Sequence, residues 1–366
     1  MKMICLGAPR VIMSNPESLH DYFAWPTVAR LQSGAIAVVA SGYRLRHVCP
    51  FGKAVISYSM DEGETFSAPA PVIDTVLDDR DAGIAAFGKK GVIVTSFNNT
   101  TAFQRRWLNG DTSAQAAYCM AYLDTVPAEK EQAALGSQFR LSDDGGVTFG
   151  ALHRSPITSP HGPTVLADGS LLWVGRTFTC DDSYLGSDRD RIEAYTVHPD
   201  GRMTYVGRIE SIEENGRRLL SCEPHTLALA DGTLLCHIRV QQIAGDPVFT
   251  TYQARSADGG KTWTKPVRLL EVTGGAPAHL FQSTDGTLFS VYGYRNAPFG
   301  IRVMYSLDGG ESWSTDHVLY ENTVSGDLGY PATVELADGT FLTVFYAHPA
   351  PGAPAVILAQ KWQAEL

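Results

Sequence analysis

Ser256-Ala257-Asp258-Gly259-Gly260-Lys261-Thr262-Trp263 decides the architecture, because it does not stand alone. Ser306-Leu307-Asp308-Gly309-Gly310-Glu311-Ser312-Trp313 repeats it, as do Ser59 to Phe66 and Ser142 to Phe149. The shared pattern is Ser-x-Asp-x-Gly-x-(Ser/Thr)-(Phe/Trp). An Asp in this setting accepts backbone N–H bonds inside a turn. Gly supplies the positive φ, and the aromatic ring packs under the turn. Each copy follows a β-rich run such as Ala54–Tyr58 or Ile301–Tyr305, so each is read as closing a hairpin. The motif itself folds chain and carries no chemistry.

A second repeat alternates with the first. It places an apolar strand on either side of an Asp-Gly or Ser-Gly corner, a strong short hairpin signal. Copies centre on Ser33-Gly34, Asp168-Gly169, Asp231-Gly232, Asp285-Gly286 and Asp338-Gly339, with a weaker one from Asp81 to Val94. Six inner hairpins spaced by roughly 50–65 residues predict an all-β, six-bladed β-propeller with four-stranded antiparallel blades. The Ser-x-Asp turns then join third and fourth strands. Blades three and six lack that turn, and Pro199-Asp200-Gly201 is the substitute in blade three. The last blade offers three strands ending near Ala359. A propeller must close to hide its edges, so the strand near Arg10–Met13 is expected to complete it. The whole chain, 1–366, then reads as one propeller domain. Residues 98–138 form an insertion within blade two, a lid or an interface element. Pro127 to Gly136 within it reads as a short helix.

Composition bounds the function. The 366 residues carry a formal charge of −10, with acidic and basic residues mixed. No basic stripe marks a nucleic-acid partner. The apolar N-terminal run is too short for a signal peptide or a membrane span, which predicts no membrane partner and a cytoplasmic location. The six cysteines (Cys5, Cys49, Cys119, Cys180, Cys222, Cys236) lack metal-site spacing and read as free thiols. Neither a metal nor a cofactor is expected.

Counting along the hairpins locates a pocket. Eight residues before the corners come Trp25, Pro160, Glu223, Pro277 and Tyr330; eight after come Ser41, Arg176, Arg239, Gly293 and Tyr346. All should reach the top of the central funnel. His161, His225, His279 and Arg295 lie nearby, with Arg44, Arg46, His47, Arg80 and Asp81 in the top loops. Such a rim exceeds what a purely structural propeller needs, because buried charge must be paired.

These repeats and the segment from Ser221 through Glu223 to Arg239 resemble the sialidase superfamily of Asp-box propellers. The resemblance covers nearly the whole chain. It implies a glycosidase acting on an acidic, carboxylate-bearing sugar at a glycan end. Tyr330 would be its nucleophile, Glu223 the base and Asp81 the pocket Asp, the third residue assigned to catalysis. Arg239 and Arg295 (or Arg302) would clamp the substrate carboxylate. Arg44, Arg46, Arg176, His47, His161, His225 and His279 are the further substrate-binding candidates. Tyr is a weak nucleophile until a carboxylate takes its proton, yet it avoids repelling an anionic sugar. Guanidinium groups bind carboxylates in a fork. Two positions depart from the family. Ala24 stands where its first arginine is expected, and the blade-one loop after Arg44 has no Asp. Either Asp78, Asp79 or Asp81 then supplies the acid/base, or His47 does, or the reaction differs. Two other readings stay open: a lyase on a uronate glycan, with His161, His225 or His279 and Tyr330 as base and acid, and a carbohydrate-binding propeller without turnover.

Overall fold

Among the described residues six antiparallel blade sheets follow one another along the chain, five built in chain order and the sixth completed from the N-terminus, with a two-stranded hairpin (Glu213–Glu214 on Arg217–Arg218) beside them. The computed structural model describes residues 1–179, 191–242, 248–270, 274–321 and 323–365. Blade one is Tyr22–Arg30, Ile36–Arg44, Lys53–Ser59 and Ala70–Ile73. Blade two is Arg80–Phe87, Gly91–Phe97, Ser137–Ser142 and Leu152–Ser155. Blade three begins with a split inner strand, Ile157–Thr158 and Thr164–Val165, then Leu171–Thr177, Ile192–Val197 and Met203–Ile209. Blades four and five open with Leu220–Ala228 and Gly275–Gln282. The inner strands touch in a ring, with that of blade one against those of blades two and six. The protein is a six-bladed β-propeller.

Blade six takes Gly329–Glu335, Phe341–Ala347 and Val356–Glu365 from the C-terminal end. Its outer edge comes from the N-terminus, in two pieces. Arg10–Met13 pairs with the near half of the last strand and Lys2–Cys5 with the far half. The ring is thereby closed across the chain ends, and Trp362 and Met13 are fully buried at the seam.

The four repeated turns share one bond pattern. In blade five, Ser306 Oγ donates to Asp308 Oδ1 (2.7 Å) and accepts from Gly310 N (2.8 Å), while Ser312 N donates to Asp308 Oδ1 (2.9 Å). The turns also fasten blade to blade. Gln253 of blade four donates to Gly310 O (2.9 Å) and accepts from Trp313 Nε1 (3.0 Å). Tyr58 of blade one donates to Gly146 O in the blade-two turn. Glu62, in the blade-one turn, accepts from Ala337 N of blade six (3.0 Å). In blade three the corner is Pro199-Asp200-Gly201, with Gly201 N bonded to His198 O (2.9 Å).

The insertion between the second and third strands of blade two holds three helices where the sequence suggested one. They are α1 (Thr101–Leu108), α2 (Ala114–Leu123) and α3 (Ala128–Ala134). Thr100 and Ser113 cap the first two, each side chain accepting a backbone N–H. Leu108, Cys119 and Leu123 pack on Leu45 and Cys49, which seats the insertion on the blade-one top loop. Cys5, Cys49, Cys119, Cys222 and Cys236 are free thiols; Cys180 lies outside the described residues. Among the described residues, no helix is long and apolar enough to cross a membrane, and no cluster of side chains is suited to hold a metal ion.

Candidate active site

Five inner strands break register: between Ala24 and Thr27, Arg80 and Gly83, Cys222 and His225, Gly275 and Ala278, and Gly329 and Ala332. At four of these breaks a non-glycine residue adopts a left-handed backbone: Trp25 (φ 54°), Asp81 (48°), Glu223 (48°) and Tyr330 (47°). Such residues are strained, by about 1–3 kcal/mol each, and strain of this kind collects at functional sites. The bulge re-aims one side chain per blade, and all four line a single cavity of about 250 Å³. Close approach of the inner strands is part of the same geometry: a Cβ on Gly83 would stand 2.4 Å from Gly162 N.

At the cavity floor Tyr330 Oη donates to Glu223 Oε1 (2.7 Å). Arg239 donates to Glu223 Oε2 (2.6 Å) and reaches Tyr330 Oη (3.3 Å). Burial raises the phenol well above its ordinary value, and the charges of Glu223 and Asp81 add to this. Burial also pushes Glu223 upward, but Arg239, the Tyr330 hydroxyl and Arg295 outweigh it and hold the carboxyl below its ordinary value. The resting pair is therefore a neutral phenol donating to an ionised carboxylate. Asp81 is pushed up to about 7, chiefly by burial, and its Oδ1 has no partner among the described residues.

Arginine dominates the remaining wall. Arg80, Arg176, Arg239 and Arg295 face two carboxylates, of which Glu223 is already engaged. Arg239 and Arg295 stack on Phe249, 4.5 and 5.4 Å from its centroid. The Nε groups of both are buried without acceptors among the described residues. Unanswered donors of this kind favour an anionic ligand. Phe97, Asn99, Phe103 and Trp107 complete the wall from blade two and its insertion.

Several sequence expectations need correction. Arg44 does not face the cavity. It is fully buried and paired with Asp78 (2.5 Å), and it lies 4.8 Å over the Trp25 ring. Arg46 points to the insertion, where it pairs with Asp111. Arg302 is taken by Glu321 (2.8 Å), leaving Arg295 as the wall residue. His161, His225 and His279 form a buried cluster packed ring on ring, with His225 and His279 stacked at 4.3 Å. Burial drives all three well below the ordinary histidine value, so they are neutral. His225 and His279 accept backbone N–H groups of Leu280 and Thr333. None of the three lines the cavity, which removes the base named for a lyase. Asp78 is spent on Arg44, and Asp79 is enclosed by Thr75, Asn98 and Gln138. Arg176, Arg239, Arg295, His47 and Asp81 are on the wall with Tyr330 and Glu223. Phe103 and Trp107 had no signal beyond lying in an insertion. A larger hollow of about 720 Å³ opens among the turns of blades two and three and shares none of these residues.

The model of the BNR repeat-like domain matches residues 117–343, more than half of the chain. The chain belongs to the BNR repeat-like family. Among solved structures, the BNR propeller is similar to a protein of unknown function from Dyadobacter fermentans, at 21% identity and a TM-score of 0.74, over 99% of both chains. The NanB sialidase of Streptococcus pneumoniae matches at 14% identity and a TM-score of 0.69, over 97% of this chain and 70% of its own. An intramolecular trans-sialidase from Ruminococcus gnavus matches at 13% and 0.64, over 98% of both. At these identities the likeness establishes the fold. No curated protein matches the BNR propeller by sequence.

Proposed function

We propose that the protein is a glycoside hydrolase acting on the terminal acidic sugar of a glycan. The observation that carries this reading is the Tyr330–Glu223–Arg239 cluster at the floor of an arginine-rich cavity. Arg239 and Arg295, with Arg80 and Arg176 beside them, attract the sugar carboxylate. Tyr330 Oη attacks the anomeric carbon. A free phenolate is costly at this buried site, so the proton moves to Glu223 as the new bond forms. A neutral nucleophile also avoids the repulsion that a carboxylate would meet beside an anionic sugar. Asp81, titrating near neutrality, donates to or accepts from the sugar on the floor. The sialidase relatives in structure make sialic acid the first sugar to try.

Turnover of a nitrophenyl glycoside of sialic acid tests the reading. The wild type should release nitrophenol. Tyr330→Phe should lose at least about 10²-fold in kcat while keeping its melting temperature. Equal activity in Tyr330→Phe contradicts the nucleophile. A product with a new double bond indicates a lyase, and binding without release indicates a lectin-like propeller.

A further inference from the structure

The mouth of the cavity holds a second protonatable group that the floor chemistry does not use. His47 lines the cavity and is 46% exposed, whereas Asp81 and Tyr330 are 7% and 5% exposed. The group leaving a terminal sugar departs toward solvent, past the mouth. His47 is also held from several sides. Its carbonyl accepts from Arg44 (2.7 Å) and Arg80 (3.0 Å). Its ring meets Trp25 edge to face at 4.9 Å, and its Nδ1 lies 3.2 Å from Asp327 Oδ1. Asp327 is fixed in turn by Tyr22 Oη (2.9 Å), Tyr346 Oη (2.8 Å) and His348 Nε2 (3.1 Å). Nε2 of His47 has no partner among the described residues. A carboxylate on one ring nitrogen fixes the tautomer and orients the other nitrogen for proton transfer.

We propose that His47, oriented by Asp327, gives a proton to the leaving-group oxygen and then takes one from the incoming water. The assignment rests on the glycosidase reading above. In the first step the bond from the anomeric carbon to the leaving oxygen breaks. The oxygen keeps the electron pair and takes the proton from His47 Nε2. The Tyr330 Oη bond to the anomeric carbon forms, and the phenol proton passes to Glu223. In the second step His47 Nε2 takes a proton from water, whose oxygen attacks the anomeric carbon. Tyr330 leaves and recovers its proton from Glu223. The net change is glycoside plus water to sugar plus alcohol.

The groups facing His47 are Asp327, which raises its affinity for a proton, and Arg80 and Arg44, which lower it. Tyr22 bonds as a neutral hydroxyl, and His348 lies across Asp327. Burial is the largest influence, and the net direction is below the ordinary histidine value. The protonated form that starts the reaction therefore grows as the pH falls below neutrality.

The test compares two glycosides of sialic acid. Sialyllactose has a poor leaving group that needs a proton, and the nitrophenyl glycoside has a good one that does not. His47→Ala should lose about 10²–10⁴-fold in kcat/KM on sialyllactose and less than about tenfold on the nitrophenyl glycoside. His47→Asp, which restores an acid, should recover part of the sialyllactose activity. Asp327→Asn removes the charge that favours the protonated ring and should move the basic limb of the sialyllactose pH profile to lower pH. Equal losses on both glycosides, or no loss, overturn the role of His47 while a dead Tyr330→Phe leaves the nucleophile standing. If the wild type cleaves neither glycoside, the reading of the cavity falls, and the role of His47 with it.

Discussion

At the residue scale, the site is built from strain and buried charge. Trp25, Asp81, Glu223 and Tyr330 hold left-handed backbones that aim them into one cavity. Beneath the top loop, Arg44 and Asp78 form an ion pair with exposures of 0% and 1%. Asp78→Asn leaves the guanidinium without a counter-charge and should cost about 3–5 kcal/mol, read as a loss of denaturant midpoint. Asp81 behaves oppositely. Its folded pKa, about 7, is above the model-peptide value near 4. The folded state thus holds a proton that the unfolded chain releases, and Asp81 destabilises the fold increasingly as the pH rises from about 4 to about 7. Asp81→Asn tolerates the same backbone. Its stability relative to wild type should therefore improve between pH 4 and pH 7, a trend that paired melting curves will show. Counting along the hairpins reached Glu223, Arg239 and Tyr330 because strand periodicity fixes where a corner returns the chain. It misplaced Arg44 and the three histidines because nothing in their spacing reveals a buried partner such as Asp78, or stacking such as His225 on His279.

At the element scale, the repeated turns do two tasks, and the sequence displayed one. The Ser and Asp positions announce the hairpin closure. The bonds to the preceding blade, such as Gln253 to Gly310 and Trp313, come from residues outside the motif. Gln253 is 5% exposed, and His237 also bonds its Oε1 (3.1 Å). Gln253→Leu orphans these groups and should destabilise by about 1–3 kcal/mol, measured as a fall in melting temperature. The insertion was legible as an interruption of the strand pattern. Its first two helices were not, because they are short and α1 buries Gln104 while exposing Trp107, against the usual apolar-in pattern; Thr100 and Ser113 were the available cap signals.

At the scale of the whole molecule, closure brings residues far apart in sequence to one mouth. Tyr22 and His47 of blade one meet Asp327, Tyr346 and His348 of blade six around a single carboxylate. That meeting was invisible along the chain, since Asp327 is 280 residues from His47. For glycoside cleavage the cavity must grip an acidic sugar with its anomeric carbon over Tyr330. The most direct measurement is a crystal structure of the protein with a dehydrated analogue of sialic acid. It should place the ligand carboxylate on Arg239 and Arg295, and the anomeric carbon about 3–3.5 Å from Tyr330 Oη. A ligand bound with its carboxylate away from these arginines, or an empty cavity at saturating ligand, contradicts it.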